Sequence, residues 1–166
     1  GSLQLHTAEH DLAALARSAT DSLAAAAGAK RQQLTFVPAP GPLPAVRADG
    51  ERLRQVFDNL IGNALKFTPP GGVITVAPGE AAGWVYAEVR DNGPGLGPAD
   101  FAKIFSPRQR LSAQPTGAGE ESTGLGLVIA RELLALQGGR LEVQSSPGGG
   151  AVFRVQLPAA APERAV

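Results

Sequence analysis

Apolar residues recur every three or four positions at Leu12, Leu15, Ala16, Ala19, Leu23 and Ala26, and this spacing predicts one buried stripe on a helix from Glu9 to about Ala27, ended by Gly28. Leu34-Thr35-Phe36-Val37 then reads as a short strand. The Pro-rich stretch from Pro38 to Pro44 lacks backbone donors and predicts an extended connection. A second helical period runs from Glu51 to Phe67 behind an Asp49 cap, with Leu53, Val56, Phe57, Leu60, Ile61 and Ala64 on one face. Thr68-Pro69-Pro70-Gly71-Gly72 stops it.

Val73 to Val76 and Trp84 to Arg90 are rich in β-branched and aromatic residues and predict a hairpin. Asp91 to Gly97 is a glycine-rich loop, Pro98 to Ile104 suggests a short helix, and Ser106 to Ser122 lacks periodicity and reads as a mobile lid. A third helix is expected from Thr123 to Gln137, with Leu125, Val128, Ile129, Leu133 and Leu136 on one face and Gly138-Gly139 as terminator. Arg140 to Ser145 and Ala151 to Leu157 complete the pattern as two strands. This order predicts an α/β fold, a two-layer sandwich with three main helices on one face of a mixed, largely antiparallel sheet.

At 166 residues the chain suits one domain. Residues 1–8 read as a tag scar and linker, because Gly1-Ser2 stands without an initiator Met. Residues 9–158 form the expected domain, and 159–166 have the composition of a disordered tail. Only eight residues are aromatic (six Phe, one Tyr, one Trp), so the core must be built from Leu, Val, Ile and Ala. Fifteen basic residues balance fifteen acidic ones, which leaves no field to recruit nucleic acid. The absence of Cys excludes disulfides and thiolate metal sites.

Three clusters carry candidate chemistry. Asn59, Asn63 and Lys66 are spaced by four and three, so they converge within roughly 60° of helix surface. An amide oxygen can ligate a hard cation and a Lys can reach phosphate, although the same face also reads as ordinary solvated helix. Asp91-Asn92-Gly93-Pro94-Gly95-Leu96-Gly97 follows a strand, where glycines admit a ligand against the backbone, or simply make a turn. Ser122-Thr123-Gly124-Leu125-Gly126-Leu127 opens a helix, whose unpaired amides attract phosphate. No Lys-Ser or Lys-Thr follows these glycines, so the segment is not a P-loop.

In that order the three clusters resemble the catalytic domain of bacterial sensor histidine kinases, which shares the Bergerat fold with gyrase B, mismatch-repair and heat-shock chaperone ATPases. The resemblance covers about Arg52 to Pro158 and is most specific over Leu53 to Thr68. It implies that ATP is bound with Mg²⁺ and leaves as ADP, that Asn63 and Asn59 hold the metal, that Lys66 touches phosphate, and that Phe67 packs on adenine. Asp91 would accept a hydrogen bond from the adenine amine, with Gly93 and Gly95 beside it. Ile104 would line the nucleotide, and Thr123, Gly124, Leu125, Gly126 and Leu127 would meet the phosphates. Between the glycine boxes, Phe105 alone remains of the family's aromatic pair; Arg110 falls where a phosphate-contacting Arg lies, with Arg108 the competing choice.

His10-Asp11-Leu12 resembles a phosphoacceptor only superficially, since the family's Pro is missing and no second long helix can follow before Asp49. The acceptor histidine is therefore expected on a separate domain of the parent protein, with a response regulator downstream. The fragment is expected to be a cytoplasmic monomer; its parent is expected to be a homodimer that could be anchored in a membrane. Two rival functions remain open. The related ATPases hydrolyse ATP with a Glu at the position of Asn59, and an amide cannot serve as that base. A catalytically silent nucleotide-sensing or docking module is the other.

Overall fold

The computed structural model describes residues 4–95, 125–145 and 148–160. The short helix expected at Pro98 to Ile104, the lid from Ser106 to Ser122, and Thr123 and Gly124 lie outside them, as do 161–166 of the expected tail.

The elements are β1 (Thr7–His10), α1 (Leu12–Ala29), β2 (Gln33–Phe36), β3 (Val46–Asp49), α2 (Gly50–Phe67), β4 (Val73–Ala81), β5 (Trp84–Asp91), α3 (Leu125–Ala135), β6 (Arg140–Ser145) and β7 (Ala151–Pro158). β2, β4, β5, β7 and β6 form a five-stranded sheet in that order. β2 and β4 are parallel, with α2 between them in sequence, and the other neighbours are antiparallel. β1 and β3 form a separate antiparallel pair, tied to the main sheet by a bridge between Val46 and Ala159.

Alternation along the strands sends Ile74, Val76, Val85, Ala87, Val89, Phe153, Val155 and Leu157 into one core with Ala16, Ala19, Phe57, Leu60, Ile61 and Leu134 from the helices. α1 packs on β2, β4 and β5, α2 on β5, and α3 on β6 and β7, which gives the two layers that the element order predicts. On the outer sheet face the Arg140 guanidinium lies 4.2 Å from the Trp84 ring centroid and Arg154 lies 4.0 Å from that of Tyr86. These contacts shield aromatic surface on the face away from the described helices.

Several expectations need correction. The first helix begins at Leu12, because Thr7–His10 pairs with β3 as a strand that also takes residues 7 and 8 out of the expected linker. It passes Gly28 and ends at Ala29, burying Ala27 while Ala26 stays exposed. β3 itself was hidden in the connection to α2, being only four residues long. In α3 the buried side chains are Leu127, Val128, Ala130, Leu133 and Leu134, while Ile129 is 36% exposed and Leu136, just past the helix end, is 57% exposed. That helix has apolar residues on more than one face, with Arg131 and Glu132 its charged positions, so docking against α2 selects its buried face rather than its period. Ala159 and Ala160, placed in the expected tail, are hydrogen-bonded to Gly83 and Ala45.

Candidate functional site

α2 carries most of the site and its ends are closely specified. Asp49 caps it, accepting hydrogen bonds from the Arg52 N–H at 3.2 Å and from the His6 N–H at 2.9 Å. Gln137, just beyond α3, accepts from the Asp49 N–H at 2.6 Å, so the start of α2 is fastened to the end of α3. Leu53, Val56, Phe57, Leu60, Ile61 and Ala64 are all buried as predicted, which turns Asn59, Asn63 and Lys66 to a half-buried opposite side. Asn59 Nδ2 donates to the Gly126 carbonyl at 3.4 Å, joining the amide face to the first turn of α3.

The other end of α2 meets the glycine-rich loop. Thr68 is extended, with ψ 124°, because a following Pro excludes helical backbone. Gly93 is buried, and a Cβ on it would stand 3.1 Å from the Phe67 carbonyl and 3.1 Å from Asp91 Oδ1. Its N–H donates to that Oδ1 at 2.9 Å. Burial raises the Asp91 carboxyl above the usual carboxylate value, and the N–H groups of Gly93 and Ala151 oppose the shift. Gly95 has φ +73°, the left-handed region that favours glycine.

Two supports of Asp91 were not read from the sequence. Asn92 Oδ1 accepts from the Val73 N–H at 2.8 Å, pinning the loop to β4. Gly150, with φ +76°, packs so tightly on the Asp91 carbonyl that a side chain would collide with it. The run Gly148-Gly149-Gly150 advertised a turn but not this contact, which depends on the β5–β7 register pairing Asp91 with Ala151.

The structure thus places Asn59 against Gly126, and Gly93 between the Phe67 carbonyl and the Asp91 carboxylate. Eight residues of α2 separate the two contacts, about 12 Å along the axis. Leu127 is buried in the core and Leu125 is described by its backbone alone. Ile104, Arg110, Thr123 and Gly124 are outside the described residues. Among the described residues no group of three or more His, Cys, Asp or Glu side chains could hold a metal. A cation at the Asn59–Asn63 face would therefore need oxygens from its ligand and water, the coordination that Mg²⁺ favours with phosphates. His10 lies in β1, its imidazole packed on Gly50, and Asp11 is the α1 cap, accepting from the Ala14 N–H at 3.3 Å.

Residues 48–161 match the family model described as histidine kinase-, DNA gyrase B- and HSP90-like ATPase. The adaptive-response sensory kinase SasA of a Synechococcus strain is 41% identical over 120 residues, which cover 72% of this chain and 31% of that protein. The sensor protein TorS of Escherichia coli is 40% identical over 114 residues, covering 69% of this chain and 12% of TorS. The chain therefore spans about a third or less of these relatives. Among solved structures, full-length ShkA in complex with AMPPNP superposes with a TM-score of 0.80 at 31% identity, covering 98% of this chain and 33% of that one. The catalytic domain of the histidine kinase ThkA, free of nucleotide, gives 0.78 at 26% identity and covers 93% and 97%.

Proposed function

Because the chain belongs to the family of histidine kinase-, DNA gyrase B- and HSP90-like ATPases, we propose that it binds Mg-ATP and passes the γ-phosphoryl group to a histidine on a separate acceptor domain of a longer sensor kinase. The observation that carries this reading is the half-buried Asp91 carboxylate, held by Gly93 against the last turn of α2. A desolvated carboxylate gains most from a ligand that donates a hydrogen bond, as the exocyclic amine of adenine does. About 12 Å along α2, the Asn59 and Gly126 contact marks the phosphate end, a separation that suits a nucleoside triphosphate.

With the Asn59 amide nitrogen turned to Gly126, its Oδ1 end is the one suited to the metal, and Asn63 one turn away supplies a second amide oxygen. Bound Mg²⁺ would offset charge on the phosphates. Lys66, in the last turn of α2, would do the same for a phosphate oxygen. Phe67 would line the adenine, and Arg110, Ile104, Thr123, Gly124 and the backbone of Leu125, Gly126 and Leu127 would complete the enclosure. In the transfer an imidazole nitrogen of the acceptor histidine bonds to the γ-phosphorus, the bond to the bridging oxygen of ADP breaks, and the imidazole proton leaves to solvent.

The names of the relatives SasA and TorS support the kinase branch of the family over the hydrolytic one, as does an amide at position 59, which cannot take a proton from water. The partners that follow are the parent's own acceptor domain and a response regulator in the cytoplasm, the parent being a homodimer and the isolated chain a monomer. Among the described residues no helix is long and apolar enough to cross a membrane. Incubation with labelled ATP and the parent's acceptor domain tests the proposal: label should appear on the acceptor as acid-labile phosphohistidine. Steady release of inorganic phosphate with the acceptor unlabelled would overturn it.

A further inference from the structure

We infer that Gln32, in the turn after α1, is a positioning residue that sets nucleotide affinity by holding the last turn of α2; the inference rests on the nucleotide-site reading above. Every α-helix leaves its final carbonyls without intrahelical donors, and here the next residues are Pro69 and Pro70, which have no N–H to offer. The donors come from 33 to 36 positions earlier in the chain. Gln32 Nε2 donates to the Leu65 carbonyl at 2.9 Å and to the Thr68 carbonyl at 2.6 Å, and Lys30 Nζ also reaches Leu65. Only the NH₂ end of the amide can face two carbonyls, so its orientation is fixed.

The end of α1 aims this clamp. Arg31 takes φ +57°, the Arg31 N–H bonds the Gly28 carbonyl at 3.0 Å and the Gln32 N–H bonds that of Ala27 at 2.9 Å, a Schellman turn. Gly71 N–H then donates to Arg31 O at 2.8 Å and Gln33 N–H to Gly72 O at 2.9 Å, so the turn and the loop after α2 are laced together. Gln32 is 6% exposed, which removes water as a substitute donor. The carbonyls of Leu65 and Thr68 bracket Lys66 and Phe67, and it is the Phe67 carbonyl and Thr68 Cα that form the wall behind Gly93, at 3.1 and 3.6 Å from its Cβ position. Releasing the Gln32 bonds frees that wall and, through Gly93, the carboxylate of Asp91.

Calorimetry with ATP and the amide resonance of Gly93 test this together. Gln32→Met keeps the volume and removes both donors; it should weaken ATP binding roughly tenfold, at a temperature where the variant remains folded, and should move the Gly93 resonance. Gln32→Asn, one methylene shorter, should fall between. Val155→Ala, a change in β7 within the same hydrophobic core, serves as control and should bind ATP normally despite lower thermal stability. Unchanged affinity and an unmoved Gly93 resonance in Gln32→Met, or an equal loss in Val155→Ala, would overturn the inference. If Gln32→Met does not fold, Gln32→Asn and Lys30→Met carry the same two readouts. If the unmodified chain binds no ATP, the functional reading fails, while the Gly93 resonance still decides whether Gln32 holds the loop.

Discussion

Gly93 donates its N–H to Asp91 Oδ1 at 2.9 Å, and the position a Cβ would take on it lies 3.1 Å from the Phe67 carbonyl. One residue without a side chain thereby joins the end of a strand to the end of a helix. The Gly93 N–H holds the carboxylate in place, and its burial disfavours the charged form.

Asp91→Asn should separate function from stability. Burial raises the Asp91 carboxyl, so its contribution to stability is full below the unfolded value and is lost as pH rises through the folded one. At neutral pH the ionised group therefore costs stability, and the uncharged amide should raise the melting temperature of the nucleotide-free protein. ATP affinity should nevertheless fall, and the unmodified chain should prefer ATP over GTP by roughly 10²-fold, since guanine presents a carbonyl where adenine has an amine. Calorimetry with both nucleotides and a thermal melt check the three outcomes.

Gly150→Ala should be the more damaging of two glycine substitutions. Its Cβ would collide with the Asp91 carbonyl at φ +76°, whereas a Cβ on Gly93 stands 3.1 Å from its nearest neighbours. The backbone must move in the first case, at a cost of about 1–3 kcal/mol. Gly93→Ala asks for smaller shifts and should lower ATP affinity with less change in denaturant midpoint.

Asn63→Ala should leave the fold intact, because the residue lies on the half-buried side of α2 away from the core. Phosphoryl transfer to the acceptor domain should be lost by roughly 10²-fold or more if a metal ligand disappears. Nucleotide binding in the absence of Mg²⁺ should change little. Full transfer by this variant would remove Asn63 from the metal.

Acid should weaken the protein partly through Asp49. The His6 N–H is the main cause of its lowered carboxyl value, joined by the N–H groups of Arg52 and Glu51 against the opposing effect of burial. A depressed carboxylate contributes stability above its unfolded value near 3.8, and that contribution is lost as pH falls through the lower folded value. Asp49→Ala should cost about 1 kcal/mol at neutral pH through loss of the cap and should flatten the acid limb of a stability-against-pH curve.

Arg31→Gly should stabilise the fold. Arg31 holds φ +57°, a conformation costing about 1 kcal/mol for a residue with a Cβ, and its backbone bonds do not involve the side chain. An upward shift in melting temperature with unchanged ATP affinity is the expected result; a loss of stability would mean that the Arg side chain contributes more than its backbone strain removes.

The sequence by itself determined α2 and its buried face, the strands β5 to β7 and the start of β4, which runs on to Ala81 where a loop after Val76 was expected, and the three clusters that hold Asn59, Asn63, Lys66, Asp91 and Gly126, because each is written in a local period or a short run of glycines. Tertiary structure decided the rest. β1 and β3 are four residues each and exist because they pair with one another. α3, apolar over more than one face, buries Leu127, Ala130 and Leu134 and exposes Ile129 because α2 and the sheet occupy one side of it. Pro69 and Pro70 marked the end of α2; that Gln32 and Lys30 supply donors to its last carbonyls is a matter of how α1 ends and packs. A hydrogen bond across more than 30 residues leaves no period in the chain, so the partners that hold the site in place become visible only when the elements are assembled.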